Sequence, residues 1–230
     1  MSYASLPEAL AAICAMDVPL SERLAAYAGA MRDLGSPFAE EYDAMVERLA
    51  RGEVGEGAPA VGEPMPPFLL PDPAGRSVAL EELCAEGPVV VSFNRGHWCS
   101  FCKIELAALA EAHADFAELG ATVVSIMPEL QHFTGELQAR HSGRLRILTD
   151  VDNGYAMSLG LVTFLGDSLR DHMAARGLTL DAFQGNDAWF VPLPATFVVG
   201  RDGRVKARFI DPNFRRRMEV ADILEALRSA

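Results

Sequence analysis

The residues of this chain best suited to chemistry are two cysteines in the run Trp98-Cys99-Ser100-Phe101-Cys102. A thiolate is the reactive form of cysteine, and a helix start favours it through unpaired backbone N–H groups and the positive end of the dipole. Two intervening residues let both sulfurs close a small ring. That spacing suits a disulfide that forms and breaks. Arg95 and His97 are candidates for lowering a thiol pKa, because positive neighbours favour the thiolate. A neutral His97 would instead be an ordinary turn histidine, and Arg95 has a second candidate partner in Asp150. Trp98 reads as a wall of the site. The redox reading requires a solvent route to the pair and two sulfurs within bonding reach.

A half zinc site is the competing chemistry. Structural zinc takes four ligands, usually from two such pairs. The other cysteines, Cys14 and Cys84, are isolated, and His97, His113, His132, His141 and His172 form no spaced pair. No metal and no cofactor are expected.

The flanking elements hold the pair in place. Val89 to Phe93 is a β-branched apolar run that reads as a buried strand. Ile104, Leu106, Leu109, Phe116 and Leu119 after the pair read as one long helix, and Ala121 to Ile126 as a second strand. Strand, helix, strand makes a parallel unit with a right-handed crossover. A helical segment from Glu129 to Arg140, a third strand from Leu145 to Thr149 and a short helix with Tyr155, Met157 and Leu159 follow. Residues 161–193 fit the alternation less well; a helix with Leu169 and Met173 is followed by an irregular stretch with Trp189, and the whole reads as a wall or lid. Pro192 to Val199 reads as a strand entered through proline, Arg201 to Arg204 as a hairpin turn, Val205 to Ile210 as the returning strand, and Val220 to Leu227 as a closing helix.

Residues 1–55 read as helices, with Ser21 as a cap of the second, forming a dimerisation arm, a cap over the site, or an extension packed on the body. Residues 56–73 are rich in proline and glycine and read as a linker with a first edge strand at Phe68 to Leu70. Cys84 reads as a small buried apolar residue. With 230 residues, half of them hydrophobic, the chain can build one sizeable core. A net charge of −12 without a basic face argues against nucleic acid. No apolar run suits a signal peptide or a membrane span, so a cytoplasmic protein without a membrane partner is expected.

The ordered set of these pieces resembles a known family. The strand, Trp-Cys-x-x-Cys, helix, strand, then Pro194-Ala195-Thr196-Phe197-Val198-Val199-Gly200-Arg201-Asp202-Gly203 and a last helix are similar to the thioredoxin fold. Gly62-Glu63-Pro64-Met65-Pro66-Pro67-Phe68-Leu69-Leu70, Arg95-Gly96-His97-Trp98-Cys99 and Leu148-Thr149-Asp150 resemble the peroxiredoxin-like branch, the alkyl hydroperoxide reductase/thiol-specific antioxidant (redoxin) family. The resemblance implies an α/β fold with a thioredoxin-like central mixed sheet flanked by helices, a redox domain over residues 60–230, and an N-terminal helical extension. It also implies an antioxidant oxidoreductase in which Cys99 and Cys102 are catalytic, with Arg95, His97, Trp98, Pro194 and Thr196 in support. Its partners would be a peroxide or a disulfide and a thiol reductant of the thioredoxin or glutathione type; a homodimer is one use of the N-terminal helices.

Two departures matter. The peroxiredoxin threonine and proline before the attacking cysteine are missing: counted from Cys102 those places hold Cys99 and Arg95, and counted from Cys99 they hold Gly96 and Ser92. Pro194 stands where those enzymes place an arginine; it matches the thioredoxin-type proline, which implies a cis bond facing the cysteines. The acid six residues before the first cysteine of thioredoxin is also replaced, by Phe93. Which cysteine attacks stays open, as does peroxide against disulfide. A redox-inert binding or dimerisation module on the same fold is the alternative from another class.

Overall fold

A computed structural model describes residues 3–230. Five strands form the central sheet: β3 (Val89–Phe93), β4 (Thr122–Met127), β5 (Arg146–Thr149), β8 (Ala195–Val199) and β9 (Val205–Ile210), in the order β5-β4-β3-β8-β9. The β3–β4 and β4–β5 pairs are parallel, whereas β3–β8 and β8–β9 are antiparallel, so the sheet is mixed. All five residues of β3 are buried, because helices cover both faces. Two small antiparallel pairs lie outside this sheet: β1 (Leu69–Pro71) with β2 (Ser77–Ala79), and β6 (Val162–Phe164) with β7 (Phe190–Pro192).

The helix after the cysteines is two helices, α5 (Ser100–Glu111) and α6 (His113–Glu118), rather than one. Ala112, with ψ of 10°, bends the axis between them, and Phe116 beyond the bend is buried among Val90, Leu106 and Leu109. The remaining helices of the domain are α4 (Leu80–Glu86), α7 (Gln131–Arg140), α8 (Gly154–Ser158), α9 (Asp167–Ala174), α10 (Leu180–Gln184) and α11 (Val220–Arg228). The expected single strand from Pro192 is two strands, because neither Pro192 nor Pro194 can donate to a ladder. Cys84 is buried beneath the sheet beside Leu80 and Leu83.

The N-terminal residues form α1 (Leu6–Cys14), α2 (Leu20–Asp33) and α3 (Phe38–Ala50). Ser21 does not cap α2. The Glu219 carboxylate does so from the other end of the chain, accepting from the backbone N–H groups of Leu20 and Ser21 at 3.0 and 2.7 Å. Arg23 of α2 pairs with Glu111 of α5 at 2.7 Å, and Arg48 of α3 donates to the Phe164 carbonyl at 2.6 Å. No helix among the described residues is long and apolar enough to cross a membrane.

Candidate active site

The loop Asn94 to Trp98 leaves the end of β3 and enters α5 at Cys99, the helix N-cap, whose carbonyl accepts from Lys103 N at 3.0 Å. Gly96 is needed in this loop. Its φ is +133°, and a Cβ there would lie 2.5 Å from Glu129 Oε1 and 2.9 Å from the Trp98 indole nitrogen. Glu129 is buried just past β4 and fixes the loop from the side. It accepts from His97 N at 2.7 Å and meets His97 Nδ1 at 2.6 Å. The His97 ring lies flat on Phe133, with ring centres 4.7 Å apart, so both a carboxylate and an aromatic face orient it.

Around the sulfurs stand two arginines. Arg95 Nη2 lies 3.7 Å from Cys99 Sγ, and Arg217 Nη2 lies 3.8 Å from Cys102 Sγ. The Arg95 N–H also points at Cys102 Sγ, at 3.5 Å. Burial opposes ionisation of Cys99. The hydrogen bond with Cys102 and the charges of Arg95 and Arg217 outweigh it, holding the Cys99 thiol well below the ordinary cysteine range. Burial, the hydrogen bond to Cys99 and the negative charge there push Cys102 well above that range. These directions favour placing a single negative charge on Cys99 rather than on Cys102.

The two cations are held differently. Arg95 is wholly buried and stacks over Phe214 at 3.9 Å, with the Trp98 and Tyr42 rings at 5.3 and 5.7 Å. Among the described residues no carboxylate pairs with it, and its Nε has no partner. The alternative Arg95–Asp150 pair does not form, because Asp150 caps the next helical turn, accepting from Tyr155 N and Ala156 N at 2.8 and 2.9 Å. Arg217 is paired with Glu105 of α5 at 2.7 Å and donates to the Phe214 carbonyl. A buried polar line continues from there. Ser92 donates to Glu105 at 3.0 Å, and Asn94 donates to Ser92 and Ser125 at 2.9 and 3.1 Å.

Both sulfurs lie under cover: Cys99 is 2% exposed and Cys102 0%. The cover is the N-terminal helices, whose Leu24, Tyr27, Met31 and Met45 share one apolar cluster with the cysteines. Tyr27 hydrogen-bonds to Ser100 at 2.9 Å and meets Phe101 edge-on at 5.3 Å. Leu169, Met173, Leu180 and Trp189 of the 161–193 stretch join the same cluster. A cavity of about 160 Å³ between α1, α2, α3 and α9 reaches Trp98, Ser100 and Phe101.

The Leu193–Pro194 bond is trans, not cis. Leu193 N is pinned to the Leu161 carbonyl at 2.6 Å, and the trans form is the intrinsic preference of an X–Pro bond. Pro194 is buried next to the rung where Ala195 pairs with Phe93, at the end of β3. Thr196 pairs with Ser92, so it borders the polar line. The sequence reading missed Glu105, Arg217, Glu129, Met45, Tyr42 and Phe214. Glu105 left a signal, an acid among apolar residues in the first turns of a buried helix. Arg217, from a loop more than a hundred residues away, left none.

The sequence model of the AhpC/TSA family matches residues 61–208. No curated protein matches the chain. Among solved structures, the chain is similar to Peroxidoxin BcpB from Mycobacterium tuberculosis, with TM-score 0.57 and 20% identity over 74% of this chain and 97% of that one. It is similar to Peroxiredoxin 6 of Arenicola marina, with TM-score 0.56 and 16% identity over 74% and 72%. A thiol peroxidase from Chromobacterium violaceum gives 0.52 and 14% over 75% and 88%. At these identities the likeness is one of fold, and residues 1–60 lie outside the matched family segment.

Proposed function

We propose, for a chain that belongs to the AhpC/TSA family, that Cys99 is the peroxide-attacking thiolate and Cys102 the resolving thiol. Membership makes the protein a peroxiredoxin-like, thiol-dependent oxidoreductase. The observation that carries the assignment of roles is the Arg95 guanidinium, 3.7 Å from Cys99 Sγ and without a carboxylate of its own. A buried cation needs a counter-charge, and the Cys99 thiolate supplies one.

The Cys99 sulfur attacks the terminal peroxide oxygen, and the O–O bond breaks. The sulfur becomes a sulfenic acid and the departing oxygen leaves as an alcohol or water, taking a proton. Cys102 then attacks the sulfenic sulfur. Water leaves with the thiol proton, and the Cys99–Cys102 disulfide forms. A thiol reductant of the thioredoxin or glutathione type returns two electrons. Arg95, which has an unpartnered Nε, also stands ready to polarise the peroxide, a task the missing threonine would have shared. Glu129 acts on His97 and Gly96 as the support of the loop. Since the sulfurs are covered, turnover includes a local opening of α1, α2 and α3.

Trapping with a dimedone-type probe tests this. In Cys102→Ser, peroxide should leave the adduct on Cys99; in Cys99→Ser, adduct and peroxide consumption should both vanish. An adduct on Cys102 instead would reverse the roles. A model disulfide consumed faster than peroxide by the intact dithiol would move the substrate to disulfides. If neither substitution alters either reaction, only a redox-inert binding module is left.

A further inference from the structure

The Arg95 guanidinium touches two sulfurs, not one. Its Nη2 faces Cys99 Sγ at 3.7 Å, and its Nη1 faces the Met45 thioether sulfur at 3.8 Å. Met45 belongs to cap helix α3 and is 3% exposed. A thioether is a weak acceptor and supplies no charge, so it does little for a buried guanidinium. What it brings is oxidisable sulfur on the other side of the cation that faces Cys99. Any opening that delivers a peroxide to Cys99 delivers it to Arg95, and so to Met45.

We propose that Met45 is a second peroxide-oxidised sulfur of this site, and that its sulfoxide acts as a brake on Cys99. The inference rests on the reading of Cys99 as the peroxide-reducing thiolate. In the step, the thioether lone pair attacks the terminal peroxide oxygen and an S–O bond forms as O–O breaks. The sulfur gives up two electrons, the peroxide takes them, and the leaving oxygen departs with a proton as alcohol or water. No further reactant is needed, and the product is reducible by methionine sulfoxide reductase chemistry. The sulfoxide oxygen is a far stronger acceptor than the thioether. It draws Nη1 into a charge-assisted hydrogen bond and pulls the guanidinium from the Cys99 sulfur. Cys99 then loses its counter-charge and its reactivity falls. The thiolate, the better nucleophile, reacts first; Met45 oxidises only when peroxide outlasts it.

The chain carries its own controls. Met31, Met127 and Met173 are as buried as Met45, at 4, 0 and 2% exposure, and among the described residues no guanidinium donates to their sulfurs; Met157 is 58% exposed. The full-length reduced protein is given repeated pulses of hydrogen peroxide, and each methionine is followed by peptide mass spectrometry. Met45 should gain one oxygen about tenfold faster than Met31, Met127 or Met173. Peroxidase activity should fall in step and return on treatment with a methionine sulfoxide reductase. Met45→Leu, scored against its own starting activity, should hold that activity through the same pulses. Oxidation of Met45 no faster than of the buried controls overturns the site. Equal decay in wild type and Met45→Leu, or no recovery with the reductase, overturns the brake. Failure of the underlying reading has a different signature: Cys99 itself gives no sulfenic adduct.

Discussion

Two guanidiniums sit at the heart of this molecule, both buried, each within 4 Å of a cysteine sulfur, yet their charges are balanced in different ways. Arg217 already has a carboxylate, Glu105, and the pair is close to neutral as a unit. Arg95 has aromatic faces, a thioether and a thiol. A buried charge without a counter-ion is costly, and in the proposed assignment an ionised Cys99 offsets that cost. On the reading proposed above, the arginine whose charge has no carboxylate to answer it marks the attacking sulfur. Cys102 is pushed up for another reason, burial together with the hydrogen bond and negative charge of Cys99, against which both arginines act.

Substitutions test that contrast. The largest effect belongs to Arg217→Met, which strands Glu105 as a buried carboxylate and should cost about 3–5 kcal/mol in urea unfolding. Adding Glu105→Leu should recover most of the loss; a double variant as unstable as the single would show that the two are not a self-contained pair. Next comes Arg95→Met. At neutral pH its Cys99 should react with peroxide or a haloacetamide about 10- to 100-fold more slowly, the effect of a thiol pKa that ends about one to two units above the assay pH. In wild type the rate should be flat through neutral pH and fall only on the acid side, as pH drops through the depressed Cys99 value. In Arg95→Met it should still be climbing near pH 8.5, the ordinary cysteine value being about that. Stability follows the same sign. Ionised Cys99 contributes fully above the unfolded thiol's pKa, and the contribution is lost as pH falls through the folded one. An unchanged profile in Arg95→Met would mean that Cys102 and Arg217 alone hold the thiolate. The smallest effect is that of Phe214→Leu, which removes the ring under Arg95. It should lower stability by about 1–2 kcal/mol and slow Cys99 less than Arg95→Met does.

Much of the frame was legible in the residues. A strand pattern is local, so Val89 to Phe93, Ala121 to Ile126 and the hairpin at Asp202-Gly203 could be read directly. The cysteine pair was equally plain, as was Arg95 beside it. The cover over the pair and the loop that floors it were harder. Met45 and Tyr42 look like core residues of an amphipathic helix, and nothing in their spacing says which core they join. Phe214 and Arg217 lie in an irregular loop, where no period marks which side chain turns inward. The cis bond expected at Pro194 failed because it came from a resemblance, whereas the hydrogen bond from Leu193 N to the Leu161 carbonyl is long-range and left no mark in the sequence.

The loop Phe214 to Arg217 is also the last portion of the site to be synthesised. Cys102 leaves the ribosome 115 residues ahead of Arg217, a lag on the order of ten seconds at typical elongation rates. Throughout that interval the ring under Arg95 and the partner of Glu105 do not yet exist. A growing polypeptide therefore carries its cysteines beside an incomplete set of buried partners, and the site is assembled only after Arg217 has been added.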